Sequence, residues 1–137
     1  MKTCTRCKET KNITEFVLDK NTQTGLRAQC KECDKIWRLS GKRNLAKYLD
    51  ERCGSRCQLC NVQYPSEILA FHHTDPSNKK FSPSVYSWRG SKVRQKTIDE
   101  AEKCAVLCHN CHALEHKALR EGYSLLQKDC NQLELAV

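Results

Sequence analysis

Cys108-His-Asn-Cys111-His112-Ala-Leu-Glu-His116 carries two kinds of metal ligand in one short stretch. Two intervening residues let the Cys108 and Cys111 thiolates converge on one ion, the usual half-site of a tetrahedral zinc centre. His112 and His116 are four apart, so on a helix both imidazoles point to the same side, the spacing by which two histidines bind one divalent ion. A helix starting at the knuckle can give Cys111 to a structural zinc while His112 turns toward a separate site. Upstream, Glu67-Ile-Leu-Ala-Phe-His72-His73 reads as a strand, broken by Thr74-Asp-Pro-Ser-Asn78. Neighbours on a strand leave on opposite faces. One of His72 and His73 can therefore be a third ligand while the other stays off the metal.

Working outward, Cys4/Cys7, Cys30/Cys33 and Cys57/Cys60 repeat the same CxxC spacing. Four such pairs in series specify two zinc sites, one from Cys4, Cys7, Cys30 and Cys33, the other from Cys57, Cys60, Cys108 and Cys111. A secreted disulfide scaffold fits poorly. The cysteine count, 11, is odd, and the opening Met1-Lys-Thr-Cys-Thr-Arg-Cys lacks the apolar stretch of a signal peptide. An intracellular, cytoplasmic protein is expected. Cys53, Cys104 and Cys130 have no partner at CxxC spacing and read as small buried residues.

The rest of the composition agrees with metal-assisted folding. Of 137 residues, 39% are hydrophobic, a fraction that includes the cysteines, and only three Phe, two Trp and four Tyr are present. A chain so poor in core material relies on disulfides or structural metal. No stretch approaches a transmembrane helix in length. The net charge of +8 calls for a polyanionic partner. Residues 79–96 hold six Lys or Arg and no acidic residue, and beside zinc modules nucleic acid is the better reading of that charge.

These signals predict a small, zinc-stabilised α+β chain in three parts. Residues 1–33 form a zinc-ribbon-like module, with Ile13 and Phe16-Val-Leu18 before a turn at Asn21-Thr-Gln-Thr-Gly25. Residues 34–52 form a basic helical connector, breaking at Ser40-Gly41. It leaves Arg38, Lys42, Arg43 and Lys47 free to approach phosphates, or serves as a spacer that packs Trp37 against a neighbouring module, and both can hold together. Residues 53–137 form the C-terminal domain. Within it, Phe81 to Tyr86 reads as a second, irregular strand, although Pro83 denies it one ladder bond. Thr97 to Leu107 reads as a helix with Thr97 and Glu100 as a capping box. Residues 108–126 read as a knuckle leading into another helix.

The stretches Leu69-Ala-Phe-His72-His73-Thr-Asp-Pro76 and Glu102-Lys-Cys-Ala-Val-Leu-Cys108-His-Asn-Cys111-His112-Ala-Leu-Glu-His116 resemble the HNH nucleases and their ββα-metal motif. The likeness covers roughly residues 55–120. Residues 1–33 also look like the leading zinc module of some phage HNH and recombination-type endonucleases. The resemblance implies that His72, His112 and His116 ligate a catalytic Mg2+ or Mn2+, with His73 as the general base. It further implies two structural Zn2+, phosphodiester hydrolysis leaving a 5′-phosphate, and double-stranded DNA as partner. A phage or mobile-element origin, and hence the host-cell cytoplasm, would follow. Lys79, Lys80, Arg89, Lys92, Arg94 and Lys96 form a reasonable phosphate-contacting edge. One departure stands out. Family members often carry an Asn shortly before the last CxxC, where it braces the loop between the strands, and here Glu100-Ala-Glu-Lys-Cys104 has none.

Two other functions are compatible with the sequence. One is a non-catalytic, zinc-dependent nucleic-acid-binding protein with a degenerate nuclease fold. The other is a protein-binding zinc adaptor whose histidines form a third structural site. Glu115 and Asp75 are either acceptors for a ligating His or surface residues, and His109 is expected to be exposed. A monomer with one site would nick one strand before linearising the duplex.

Overall fold

Both CxxC…CxxC modules fold the same way, as a tight knuckle followed by a helix N-terminus. In the first knuckle Cys4 N–H donates to Glu9 O (2.9 Å) and Lys8 N–H returns to Cys4 O (3.0 Å). In the second, Cys57 N–H donates to Val62 O (3.0 Å) and Asn61 N–H to Cys57 O (2.8 Å). Lys8 and Asn61 follow the second cysteine of each knuckle and take left-handed φ values of 64° and 60°. The other pair of each module straddles a helix start, with Cys30 and Cys108 as N-caps. The computed structural model describes residues 1–127, and Cys130 and the tail beyond Gln127 lie outside them.

The N-terminal module adds two hairpins to its knuckle. Strands β1 (Lys2–Thr3) and β2 (Thr10–Lys11) flank the knuckle, and β3 (Phe16–Leu18) pairs with β4 (Leu26–Cys30). The expected turn lies between β3 and β4, closed by Asp19 N–H to Gly25 O (2.9 Å). Its small core is Phe16 packed on three thiols, Cys4, Cys30 and Cys33.

Helix α1 (Lys31–Cys53) starts within that zinc module and runs unbroken to Gly54, whose left-handed φ of 60° ends it. The break expected at Ser40-Gly41 does not occur. Ser40, Gly41 and Asn44 instead make a seat for residues 85–90. Ser40 Oγ accepts from Gly90 N–H (2.9 Å), and Asn44 Nδ2 donates to Trp88 O (2.8 Å) and Gly90 O (2.9 Å). Gly41 is there because the neighbouring backbone comes too close for a side chain. A Cβ at this position would lie 2.6 Å from Val85 O and 2.8 Å from Arg89 Cγ.

Strand β5 (Leu69–His73) pairs antiparallel with β6 (Cys104–Cys108), in a register that sets His73 opposite Cys104 and Leu69 opposite Cys108. Sequence periodicity is misleading here. The helix expected over residues 97–107 is α2 (Gln95–Glu102), and the apolar run Cys-Ala-Val-Leu-Cys is the strand. All five residues of β6 are buried, and a short run apolar on every side has no period to separate strand from helix. The strand expected at Phe81 to Tyr86 is irregular chain ending in a single 3₁₀ turn, Val85–Trp88. Helix α3 (His109–Arg120) follows β6 directly.

The larger core gathers Leu49, Leu69 and Ala105 to Leu107 around Cys57, Cys108 and Cys111. Trp88, 1% exposed, closes one side against Tyr48 (centroids 4.6 Å) and Phe71 (6.0 Å). Arg52, near the end of α1, donates to Ala101 O (2.5 Å) and to Cys104 O, where it neutralises the negative end of α2. Among the described residues no helix is long and apolar enough to cross a membrane.

The fit at Gly41 gives a test with an inverted sign. Gly→Ala in a helix interior ordinarily stabilises by up to about 1 kcal/mol. Gly41→Ala is expected to destabilise by about 1–3 kcal/mol, since the added methyl meets backbone that cannot yield. Denaturant titration of the zinc-loaded chain reads the sign directly.

Candidate metal centre and its cleft

The sequence places three sets of ligands, and the structure gathers each into a cluster. Cys4, Cys7, Cys30 and Cys33 bring their sulfurs within 4.8 Å of one another, as do Cys57, Cys60, Cys108 and Cys111. Thiolates about 2.3 Å from a tetrahedral zinc lie about 3.8 Å apart, so both sets suit one zinc ion each. The acidities of the thiols agree. Backbone N–H donation, chiefly from Cys30, lowers the Cys4 thiol to about 6. Burial would raise Cys57, but N–H groups of Cys60, Cys108 and Leu59 bring it down to about 7. Burial, followed by the neighbouring thiols, raises Cys33 to about 12 and also raises Cys111. Without a cation the four sulfurs of a site cannot all ionise, and a dication between them removes that conflict.

The third cluster is His72 from β5 with His112 and His116 from α3. Adjacent positions on a helix point about 100° apart, so Cys111 faces the structural cluster while His112 faces away from it. His112 and His116 Nε2 are 3.0 Å apart, and the three rings pack edge to face, with His72 at 5.3 and 5.0 Å from the other two. Two nitrogens bound at right angles to one ion, each about 2.1 Å from it, would lie about 3 Å apart. Burial lowers the His72 and His112 pKa, reinforced by the neighbouring imidazoles. Both therefore present neutral lone pairs at neutral pH. The cluster opens into a cavity of about 750 Å³ lined also by His73, Lys79 and Glu115.

His73 leaves the opposite face of β5 and takes no part in the cluster. Its Nε2–H donates to Glu100 Oε1 (2.8 Å), which leaves Nδ1 as the basic nitrogen. Glu100 is the residue whose role the sequence concealed. It is no capping-box partner of Thr97, whose hydroxyl instead donates to Ser87 O (3.2 Å). Only 1% exposed, it accepts from Lys80 N–H (2.8 Å), Phe81 N–H (3.4 Å) and Lys103 Nζ (2.9 Å) as well as from His73. Burial alone would raise its pKa, but Lys103, Lys80, His73 and Phe81 together bring it down to about 2. Lys103 Nζ also donates to Asn78 O (3.2 Å). Glu100 and Lys103 thus hold the loop after β5. The sequence carried only the three-residue interval between Glu100 and Lys103 as a signal.

The secondary candidates separate cleanly. Glu115 is buried rather than on the surface, and it bonds no histidine. Its carboxylate accepts from Ser124 Oγ (2.5 Å) and Leu125 N–H (2.7 Å), which fixes the chain after α3 along one wall of the cavity. Asp75 caps the turn at Pro76–Asn78 through Ser77 N–H (3.0 Å). His109 is exposed, with Nε2 3.0 Å from Glu67 O. Cys104 is buried and Cys53 partly so. Of the basic residues, Lys42, Arg43, Lys79, Lys80, Lys92, Arg94 and Lys96 are exposed. Arg38 pairs with Asp34 (3.0 Å), Lys47 lies 3.8 Å from Glu51, and the Arg89 guanidinium lies against the rings of Trp37 and Tyr86. No family model matches the chain, and neither a curated protein nor a solved structure is found to be similar to it.

Elemental analysis of the purified chain should find two tightly held zinc ions, falling to one in Cys4→Ser/Cys7→Ser. A further divalent ion, titrated as Ni2+ into the zinc-loaded chain, should bind one per chain and be lost in His112→Ala/His116→Ala. Protons compete with that ion only where imidazole charges. Its affinity is expected to be level from about pH 8 to 7 and to fall below about pH 6.5. Calorimetry across that range checks the sign.

Proposed function

We propose that the protein is a metal-dependent DNA endonuclease of the HNH kind, with β5, β6 and α3 serving as the ββα-metal unit. The observation that carries this reading is the division of four histidines within one cleft. Three imidazoles converge on a single point, and the fourth is held apart by a buried carboxylate. A purely structural metal site has no use for His73 in that arrangement, and the cavity beside His116 leaves room for a phosphate.

His72, His112 and His116 would hold a divalent cation, Mg2+ or Mn2+ in this reading, which would supply Lewis-acid stabilisation of the charge that builds on the phosphoryl group and the leaving 3′ oxygen. His73 Nδ1 accepts a proton from the attacking water. Glu100 holds the tautomer that makes this possible and stabilises the imidazolium that forms. Phosphorus gains the water oxygen and loses the 3′ oxygen, which takes a proton from solvent, leaving a 5′-phosphate and a 3′-hydroxyl. Lys79 and Lys80 stand on the loop that Glu100 secures, where they can meet the phosphates flanking the scissile bond.

The test is conversion of supercoiled plasmid to nicked and linear forms by the zinc-loaded chain with Mg2+, with Mn2+ and with no added ion. Nicked product is expected to appear first, because each chain has one such cleft. His73→Ala should slow cutting about 10²- to 10⁴-fold while both zinc ions are retained. Equal cutting by wild type and His73→Ala would remove the base assignment. Binding without cutting under any ion would support the non-catalytic nucleic-acid-binding protein instead.

A further inference from the structure

The Glu100-pinned segment 79–82 separates two openings. Lys79 and Ser82 line the histidine cavity, whereas Phe81 turns into a second cavity of about 330 Å³. Trp37, Tyr86, Arg89, Arg94 and Lys96 are among its other lining residues, and none of the lining residues is acidic. Its floor is rigid. The turn Val85–Trp88 is seated on Gly41, and Asn44 holds the carbonyls of Trp88 and Gly90.

Arg89 is the anomaly of this cavity. Its guanidinium lies 4.7 Å from the Trp37 ring and 4.3 Å from the Tyr86 ring. It makes no hydrogen bond or ion pair with a described residue, and its Nε is buried without a partner. A guanidinium in contact with two rings is partly held in place before any ligand arrives, and its planar N–H fork is the group that suits a phosphate. Arg94 and Lys96 add two exposed cations with no acidic partner among the described residues. Tyr86 is 67% exposed, so its ring offers surface beyond the contact with Arg89.

We propose that this cavity holds one unpaired nucleotide of a DNA strand, its base stacked on Tyr86 and its phosphate on Arg89, Arg94 and Lys96. A base inside a duplex already has both faces stacked and cannot enter such a recess, whereas an unpaired base is free to stack on an aromatic side chain. The inference deepens the nuclease reading, on which it rests only for its place beside the histidine cleft. It makes a DNA strand with an unpaired nucleotide, rather than uninterrupted duplex, the preferred substrate.

The test uses the full zinc-loaded chain without added divalent ion, so that nothing is cut. Fluorescence anisotropy compares a labelled oligothymidylate with a duplex of the same length. The single strand is expected to bind more tightly. Tyr86→Ala should weaken it about tenfold while leaving duplex binding alone, and Tyr86→Phe should restore it. Equal affinities for the two DNAs, equal losses in Tyr86→Ala and Tyr86→Phe, or displacement by polyglutamate as effective as by DNA would each overturn the proposal. A second measurement needs no variant. Irradiation of the unaltered chain with a bromodeoxyuridine oligonucleotide should crosslink Tyr86 or Trp37, and crosslinks only elsewhere would overturn the assignment. Plasmid cutting by a chain that fails these tests leaves the nuclease reading standing, and stacking without cutting leaves this one standing.

Discussion

Thiols stand at the centre of this molecule, where a larger domain would place leucine and phenylalanine. Three of the four buried residues in the smaller core are cysteines, and Cys57, Cys108 and Cys111 sit inside the larger one. Sulfur packs well, but four sulfurs around one point also repel once they ionise. A dication there would replace that repulsion with attraction. Metal binding and folding are then one event. Everything else hangs from the two anchors, with α1 growing out of the first and ending against the second.

The second anchor and the histidine cleft share a single helix start. Cys111 and His112 are neighbours on α3, yet the helical step turns one inward to the thiol cluster and the other outward to the cavity. The same economy holds on β5, where the pleat sends His72 into the triad and His73 toward Glu100. Two periodicities, helical and extended, thus separate a closed site from an open one without any extra scaffold. Glu100 then ties the arrangement together. Its four donors come from β5, from the loop after it and from the end of α2, so one carboxylate fixes both a histidine and the chain that walls its cleft.

What could be read in advance was read from spacing. The CxxC pairs, the His112/His116 repeat and the His72-His73 doublet depend only on local geometry, and the structure gathers each set as its spacing implies. The errors share the opposite property. Residues 104–108 are buried on every side and carry no period, so only pairing with β5 makes them a strand. Gly41 looked like a helix breaker because glycine usually is one. Its lack of a side chain matters because Val85 and Arg89 press against it from a distant part of the chain. Thr97 and Glu100 matched a capping box by type and interval, but their side chains answer to Ser87 and His73 instead.

The sequence by itself therefore determined the candidate ligands, their division into thiol and imidazole sets, and a small α+β architecture with two clusters that could hold zinc. These follow from intervals of two to four residues, within which backbone geometry alone sets where side chains point. Tertiary structure decided which carboxylate orients His73, which glycine permits a close approach, and that Trp37, Tyr86 and Arg89 meet at all. Those contacts join residues far apart in the chain, and no local interval encodes a distance that only the folded backbone closes.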